Sequence, residues 1–263
     1  MDDRAGTFAA MQISLEGKTA LVTGASKGIG KAIAKQFAAS GANVMLSSRK
    51  QDQLEAAAAE IRESGAAGDV DVFAANAGNL EAAKACVAAT IERFGGLDIL
   101  VNNAATNPHF GASLDIDEGR YDKTFEVNVR APLFWSKEAW NAALKDKPGV
   151  IVNVASVGGL RAEFGLGVYN ITKAAVIHMT RQLASELGPT RVVGVAPGLV
   201  ETDFAALLVE NFGESLAARL PTKRLGDPAD IANLTTFLVS DAASWITGET
   251  YVIDGGAGVA SAH

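Results

Sequence analysis

The 263-residue chain is 48% hydrophobic, 20% charged and only 6% aromatic, which is typical of a globular protein and excludes a disordered or collagen-like one. Its 30 acidic residues outnumber the 23 basic ones, and the net charge of -7 argues against nucleic acid or an anionic membrane as the main partner. No apolar run approaches the roughly 18 residues of a membrane helix. The single cysteine, Cys86, excludes an intramolecular disulfide. These features predict a cytoplasmic protein that binds small molecules.

Short β-rich runs alternate with Ala-rich helical runs along the chain, which is the rhythm of βαβ units. The predicted strands cover residues 19–23, 43–47, 70–74, 99–102, 149–154, 192–196 and 249–253. The predicted helices cover residues 31–39, 53–64, 80–94, 121–145 and 169–187. We therefore predict a single domain over residues 15–263 with a doubly wound α/β Rossmann fold, in which helices cover both faces of a mostly parallel seven-stranded sheet. Residues 1–14 are predicted to be a flexible N-terminal extension.

A glycine-rich loop, Thr23-Gly24-Ala25-Ser26-Lys27-Gly28-Ile29-Gly30, follows the first predicted strand and leads into a helix. Glycines let the backbone approach a pyrophosphate, whose charge the helix N-terminus stabilises, although a plain turn is the alternative interpretation. Ser48 and Arg49 follow the second strand, where an acid would bind the ribose of NAD and an arginine suits the 2′-phosphate of NADP. Lys27 adds a second positive charge for that phosphate. The pattern predicts an NADP(H) site, the alternative being a solvated Arg49.

Tyr169 and Lys173 lie one helical turn apart, so their side chains share a face. A neighbouring ammonium favours the phenolate and brings the tyrosine pKa, normally near 10, closer to the range of general acid/base catalysis. Many such pairs are incidental surface neighbours. Ser156 follows the fifth strand, so its hydroxyl should face the same cleft and could stabilise a developing alkoxide. Asn128 lies in a helical stretch, where an amide more often bends the helix or is exposed.

The sequence resembles the short-chain dehydrogenase/reductase family over residues 17–256. The resemblance rests on six motifs in the family's order: Thr23-Gly24-x-x-x-Gly28-x-Gly30, Asn102-Asn103-Ala104, Asn128, Ser156, Tyr169-x-x-x-Lys173 and Pro197-Gly198-x-x-x-Thr202. It implies that Tyr169 exchanges the proton, that Ser156 orients the carbonyl, and that Lys173 binds the nicotinamide ribose and lowers the tyrosine pKa. Asn128 would hold a water that connects Lys173 to solvent.

The same resemblance implies the residues that contact NADP(H). They are Gly24, Ser26, Lys27, Gly28, Ile29, Gly30, Ser48, Arg49, Asn76, Ala77, Asn103, Ala104, Tyr169, Lys173, Pro197, Gly198, Val200 and Thr202. Asn76 follows the third strand, where similar proteins place an acid that receives the adenine amino group, and its amide oxygen can accept that hydrogen bond. Ala105 departs from the family's usual glycine and adds one methyl near the cofactor, for which we expect a small effect.

Apolar residues in the loops predict the substrate pocket. The predicted substrate-binding residues are His109, Leu160, Phe164, Leu199 and Phe204, and the resemblance implies that the segment around 203–220 is a lid. A solvated loop histidine and a packed surface helix pair are the alternatives. The histidines are scattered and no Cys-x-x-Cys occurs, so no metal site is predicted.

The predicted function is hydride transfer between NADPH and a ketone or secondary alcohol, in the direction of carbonyl reduction. The chain resembles 3-oxoacyl-thioester reductases and dehydrogenase/reductase carbonyl reductases about equally. One alternative is an NAD(P)-dependent secondary alcohol dehydrogenase that works oxidatively, and another is a non-catalytic NADP-binding sensor. The resemblance implies a homotetramer. An acyl carrier protein or CoA thioester could meet four basic residues, Arg130, Arg161, Lys223 and Arg224.

Overall fold

Seven strands form one sheet in the computed structural model, which describes residues 13–259 and all of their side chains except those of Leu207, Leu208 and Phe212. Strands β1 to β7 are Thr19–Thr23, Asn43–Ser48, Val70–Ala74, Ile99–Asn102, Val150–Val154, Arg191–Pro197 and Thr250–Ile253. Helices α1 to α8 are Gly28–Ala39, Gln51–Glu63, Leu80–Phe94, Glu118–Phe125, Ala131–Ala139, Gly167–Glu186, Ala206–Arg219 and Pro228–Val239. Two π-helical turns, Glu126–Arg130 and Trp140–Leu144, flank α5.

The strand order is β3-β2-β1-β4-β5-β6-β7, and every neighbouring pair is parallel. The sheet is thus entirely parallel, where the sequence predicted a mostly parallel one. The chain crosses from β3 on one side of β1 to β4 on the other. Where the winding reverses, the carboxyl ends of β1 and β4 open a crevice in which such folds bind ligands. The doubly wound fold predicted from the sequence is confirmed.

Helices cover both faces of the sheet, and successive residues of a strand therefore enter different cores. On β1, Ala20 and Val22 belong to a core formed with α1, α2 and α8. Leu21 between them belongs to a second core formed with α3 and α5, which also contains the buried Cys86. Every residue of β1 is buried, so its central residues are all apolar and do not alternate with polar ones.

Helices α1, α2, α4 and α6 begin two or three residues earlier than predicted, and the predicted helix 121–145 comprises α4, α5 and the two π turns. Helix α1 begins at Gly28, three residues before the predicted start, because Lys27 is the extended N-cap residue and the last glycines of the loop form the first turn. Helix α8 was not predicted. It lies against α1 and buries much of its length, so it lacks the polar face that marks a helix in sequence. Its start does carry a signal, since Asp227 and Asp230 form a capping box around Pro228.

Residues Asp203–Ala205 form a 3-10 turn that leads into α7, so the predicted lid segment is helical. Its movement as a lid stays a prediction. Most of the predicted N-terminal extension lies outside the described residues. None of the described helices is long and apolar enough to cross a bilayer. Within residues 13–259, no cluster of three or more His, Cys, Asp or Glu side chains could hold a metal ion.

Candidate active site

The glycine loop lies at the carboxyl end of β1, in the crevice beside β4. Gly24 and Gly28 have φ values of 65° and 56°, in the left-handed region that favours glycine. Helix α1 has no side-chain cap at Lys27 and no acid in its first turn. Its first N–H groups therefore point into the crevice without a competing side chain, which fits the pyrophosphate of a dinucleotide. The loop residues predicted to contact the cofactor lie in this crevice, and their contact with a cofactor stays a prediction.

A buried hydroxyl fixes the loop after β4 to the end of β1. Thr23 Oγ1 donates to the carbonyl oxygen of Val101 at 3.1 Å and accepts from the N–H groups of Asn103 and Ala104 at 3.0 and 3.1 Å. Asn103 Nδ2 donates in return to the carbonyl oxygens of Thr23 and Gly24. A Cβ on Gly30 would collide with this amide. Asn103 and Ala104, predicted as cofactor contacts, thus hold the shape of the glycine loop.

The residues predicted to bind the 2′-phosphate lie around this loop. Ser48 ends β2 and Arg49 follows it as an exposed side chain, so both lie at the carboxyl edge of the sheet. Lys27 is also exposed, and its Nζ lies 3.0 Å from Asp203 Oδ2. The Lys27 ammonium, which is predicted to bind the 2′-phosphate, therefore forms an ion pair with the Asp203 carboxylate in the protein alone.

The segment after β3 is held by the helical region around the first π turn. Arg130 Nη2 donates to the carbonyl oxygen of Gly78 at 3.2 Å, and Trp135 Nε1 donates to that of Ala77 at 3.0 Å. Asn76 is exposed, and its amide oxygen accepts the N–H of Gly78 at 3.2 Å. The oxygen predicted to receive the adenine amino group thus already accepts one bond and keeps a second lone pair.

Ser156, Tyr169 and Lys173 come together at the carboxyl end of β5. Ser156 caps a 3-10 turn, where its Oγ accepts the N–H of Gly158 at 3.2 Å, and the same side chain lies next to the phenol of Tyr169. Lys173 is 3% exposed, and its Nζ donates to the carbonyl oxygen of Val154 at 2.8 Å. The same Nζ lies 5.6 Å from the centre of the Tyr169 ring. The three predicted catalytic side chains therefore share one site.

Burial controls the protonation of this group. It raises the pKa of Tyr169; the hydrogen bond to Ser156 opposes the rise, and the negative charge of Glu163 adds to it. Burial lowers the pKa of Lys173 to about 8. Desolvation is the largest cause of this rise, and the lowering of the tyrosine pKa by Lys173 stays a prediction. Tyr169 is a neutral phenol at neutral pH.

Asn128 lies in the π turn Glu126–Arg130, a local widening that is frequent at functional sites. Its Oδ1 accepts the N–H of Thr106 at 2.8 Å, and its Nδ2 donates to the carbonyl oxygen of Thr106 and to Thr172 Oγ1 at 2.9 and 3.1 Å. Thr172 precedes Lys173 on α6, so Asn128 ties the loop after β4 to the catalytic helix. The predicted water relay stays a prediction.

The loop after β6 lies beside the glycine loop. A Cβ on Gly28 would lie 3.3 Å from Thr202 Cγ2, so Gly28 allows the two loops to approach. Gly198 donates its N–H to Ile253 at 2.9 Å, next to Pro197 at the end of β6. Val200 is buried in the core, so only its backbone can face a cofactor.

The predicted substrate residues divide into two groups. The Phe204 ring lies 6.0 Å from the Tyr169 ring, centre to centre, and Leu160 and Phe164 are exposed on the loop between Ser156 and α6. Leu199 is partly buried at the end of β6. His109 instead pairs its Nε2 with the carbonyl oxygen of Ala112, 3.0 Å away within its own loop. The structure thus brings Phe204 to the catalytic tyrosine and gives His109 a local partner.

Two residues of this site were not predicted from the sequence. Phe110 is 63% exposed, and its ring lies on Gly165, where Gly111 also pairs with Leu166. Glu163 lies close enough to Tyr169 for its charge to raise the tyrosine pKa. No local pattern marks either one: Phe110 meets Gly165 across two distant loops, and Glu163 reaches Tyr169 through the path of its own loop.

A parallel Rossmann sheet with a glycine loop at its reversal point and a Ser-Tyr-Lys group beside it defines a nicotinamide-dependent oxidoreductase. A family model described as Enoyl-(Acyl carrier protein) reductase matches residues 24–258. Human Dehydrogenase/reductase SDR family member 4 is 40% identical over 246 residues, which cover 92% of this chain and 88% of that protein. The chain therefore belongs to the short-chain dehydrogenase/reductase family.

Solved structures agree with this assignment. A short chain dehydrogenase from Burkholderia cenocepacia in complex with NADP has a TM-score of 0.85 at 36% identity, covering 93% of this chain and 99% of that one. A 7α-hydroxysteroid dehydrogenase complexed with NADH and 7-oxo glycochenodeoxycholic acid has a TM-score of 0.87 at 32% identity, covering 93% and 95%. The family uses a nicotinamide cofactor, and these two neighbours hold different forms of it.

Proposed function

We propose that the protein is an NADPH-dependent carbonyl reductase that converts a ketone to a secondary alcohol. The observation that carries this proposal is the grouping of Ser156, Tyr169 and the buried Lys173 at the end of β5. When bound, NADPH supplies the hydride that reduces the carbonyl carbon. Ser156 holds the carbonyl oxygen by donating to it. Tyr169 then gives its phenolic proton to that oxygen as negative charge develops there, which completes the alcohol.

Lys173 restores the proton that Tyr169 loses. Its ammonium lies beside the tyrosine ring, and its lowered pKa of about 8 makes it a ready proton donor near neutral pH. The same group stabilises the phenolate that remains after transfer. The choice of the reductive direction follows from the proposed cofactor, NADPH, which supplies a hydride.

The choice of NADPH rests on charge at the carboxyl ends of β1 and β2. Arg49 is exposed directly after β2, and it makes no ion pair with any residue in the range 13–259. A guanidinium suits the 2′-phosphate of NADPH because it forms paired charge-assisted hydrogen bonds. Ser48 beside it carries no negative charge that would repel this phosphate.

The proposed substrates are 3-oxoacyl thioesters or similar ketones whose apolar part lies on Leu160, Phe164 and Phe204. We do not extend this to an acyl carrier protein, because the four basic residues considered for it have partners in the chain. Arg224 forms a bidentate pair with Asp230, and Lys223 donates to Ala218. Arg130 and Arg161 donate to the carbonyl oxygens of Gly78 and Ala257.

The test is a substrate screen that follows the absorbance of NADPH and NADH with acetoacetyl thioesters, aromatic ketones, diketones and sugars. We expect turnover of at least one ketone class, with kcat/KM about tenfold or more higher for NADPH than for NADH. Turnover with neither cofactor, in a protein that binds NADPH, would support the non-catalytic sensor instead. Faster oxidation of secondary alcohols by NADP would support the oxidative alternative.

We also propose that the protein works in the cytoplasm as a homotetramer. Trp245 is 99% exposed before the edge strand β7, and Val252 on that strand is half-exposed. Exposed apolar groups beside an unpaired strand edge favour burial against another copy of the chain. Sedimentation analysis should show four copies, and Trp245→Glu should shift the mass toward smaller species.

A further inference from the structure

An acidic side chain borders the proposed carbonyl site. A Cβ on Gly158 would collide with the Asn170 side chain and would lie 2.9 Å from Glu163 Oε2, so both side chains lie beside the Gly158 backbone. The N–H of Gly158 donates to Ser156 Oγ at 3.2 Å. Glu163 therefore borders the turn that carries Ser156, whose hydroxyl we propose holds the substrate oxygen. Its side chain is 30% exposed.

The charge of Glu163 is only weakly balanced. Arg161 Nη2 lies 3.5 Å from Glu163 Oε1, while Arg161 Nη1 donates to the carbonyl oxygen of Ala257 at 3.1 Å. Because this ion pair is partly exposed and long, Arg161 neutralises the charge of Glu163 only in part. Lys173 is a further cation of the site, with its Nζ held by the carbonyl oxygen of Val154 at the end of β5. The negative field of Glu163 reaches Tyr169, whose pKa it raises.

Aromatic rings complete the surroundings. Phe164, the residue after Glu163, is 87% exposed, and Phe204 lies against Tyr169 with 57% of its surface exposed. Aromatic faces attract cations, and a carboxylate beside them strengthens this attraction. An ammonium group on the substrate would find both types of partner here, whereas a carboxylate group would meet Glu163.

We propose that Glu163 is a specificity-determining residue that selects ketones carrying a cationic ammonium group and rejects anionic ones. The inference rests on the proposed function, because it requires the ketone oxygen at Ser156 and Tyr169.

Two ketones of the same shape test the proposal. N,N-dimethyl-4-oxopiperidinium carries a permanent positive charge, and 4,4-dimethylcyclohexanone has a carbon atom in place of its nitrogen. In the full-length protein with NADPH, we expect the ratio of kcat/KM for the cation to that for the neutral ketone to fall about tenfold in Glu163→Gln, which corresponds to about 1.4 kcal/mol. Arg161→Gln is the matched control of opposite sign and should raise the ratio. An unchanged ratio in Glu163→Gln would overturn the proposal.

A binding measurement separates this inference from the proposed reaction. Saturation-transfer NMR with N,N-dimethyl-4-oxopiperidinium should show binding to the wild-type protein that weakens in Glu163→Gln and strengthens in Arg161→Gln. If this pattern appears while no ketone is reduced, charge selection stands and the reductase proposal is wrong. If both ketones are reduced and neither binding nor the ratio depends on Glu163, the reductase proposal stands and charge selection is wrong. If binding of the cation is independent of Glu163 and no ketone is reduced, both are wrong.

Discussion

Lys27 and Asp203 form an exposed ion pair, Nζ to Oδ2 at 3.0 Å, that joins the glycine loop to the segment before α7. Binding of a 2′-phosphate to Lys27 has to release this pair, and an exposed pair contributes about 0.2–1 kcal/mol. We therefore expect Asp203→Asn to lower the Kd for NADPH by about two- to fivefold and to leave that for NADH unchanged, measured by cofactor fluorescence. Asp241→Asn, which loses an exposed contact to Lys18, is the control. Equal tightening of both cofactors would contradict competition at Lys27.

Arg49 is expected to discriminate between the two cofactors. Arg49→Ala removes the charge proposed to bind the 2′-phosphate, and charge-assisted hydrogen bonds contribute about 1.5–3 kcal/mol. The Kd for NADPH should rise by about 10- to 100-fold, whereas the Kd for NADH should change less than about twofold. Lys50→Ala is a matched control, because Lys50 is the adjacent exposed cation. The assignment of Arg49 fails if the two cofactors weaken equally.

Tyr169 is expected to be indispensable for turnover. Tyr169→Phe keeps the ring against Phe204 and removes only the hydroxyl that lies next to Ser156. Because general acid catalysis contributes about 10²–10⁴-fold, kcat should fall at least a hundredfold while the Kd for NADPH stays within about twofold. Tyr121→Phe is the control, since Tyr121 stacks on Phe125 at another site. Substantial remaining activity in Tyr169→Phe would argue for another proton donor.

The order of strands and helices was predictable because local patterns determine it. Strands β1, β3 and β4 begin and end at the predicted residues. Each is a short β-rich run that is followed by glycine, alanine or asparagine. Helix α8 was missed because Ile231, Thr235 and Leu238 are buried, and a helix without a polar face lacks the expected period. Its capping residues, Asp227 and Asp230, were the available signal.

The candidate site was only partly predictable from the sequence. Ser156, Tyr169 and Lys173 follow from motif spacing and from the rule that parallel strands end at one edge of a sheet. Glu163 depends on the path of the loop after Ser156, which the long-range pairing of Gly111 with Leu166 restrains. The pKa of Tyr169 depends on burial, which spacing does not reveal. Non-local contacts therefore account for what the sequence did not show.

Buried Lys173 should make the stability of the protein depend on pH. Its pKa is about 8 in the folded chain, against an ordinary 10.5 when unfolded, so between these pH values the unfolded chain binds more protons. The free energy of unfolding should therefore rise with pH in this window, by about 3 kcal/mol from this group. Urea unfolding of the wild type and Lys173→Met at pH 7.5, 9 and 10.5 measures it. The wild type should gain stability relative to the variant as the pH rises, and parallel profiles would show that Lys173 does not titrate in this range.

The hydroxyl of Thr23 should stabilise the glycine loop and the protein together. Thr23→Val preserves the shape of this 3% exposed side chain but leaves the N–H groups of Asn103 and Ala104 without their acceptor. Each unsatisfied buried group costs about 1–3 kcal/mol, so the free energy of unfolding should fall by about 2 kcal/mol or more. Thr23→Ser keeps the acceptor and loses one methyl group, for which we expect about 1 kcal/mol. The Kd for NADPH should rise in Thr23→Val and stay near the wild-type value in Thr23→Ser, because only the first variant frees the loop after β4. A larger loss in Thr23→Ser than in Thr23→Val would mean that methyl packing, and not the hydroxyl, stabilises this corner of the site.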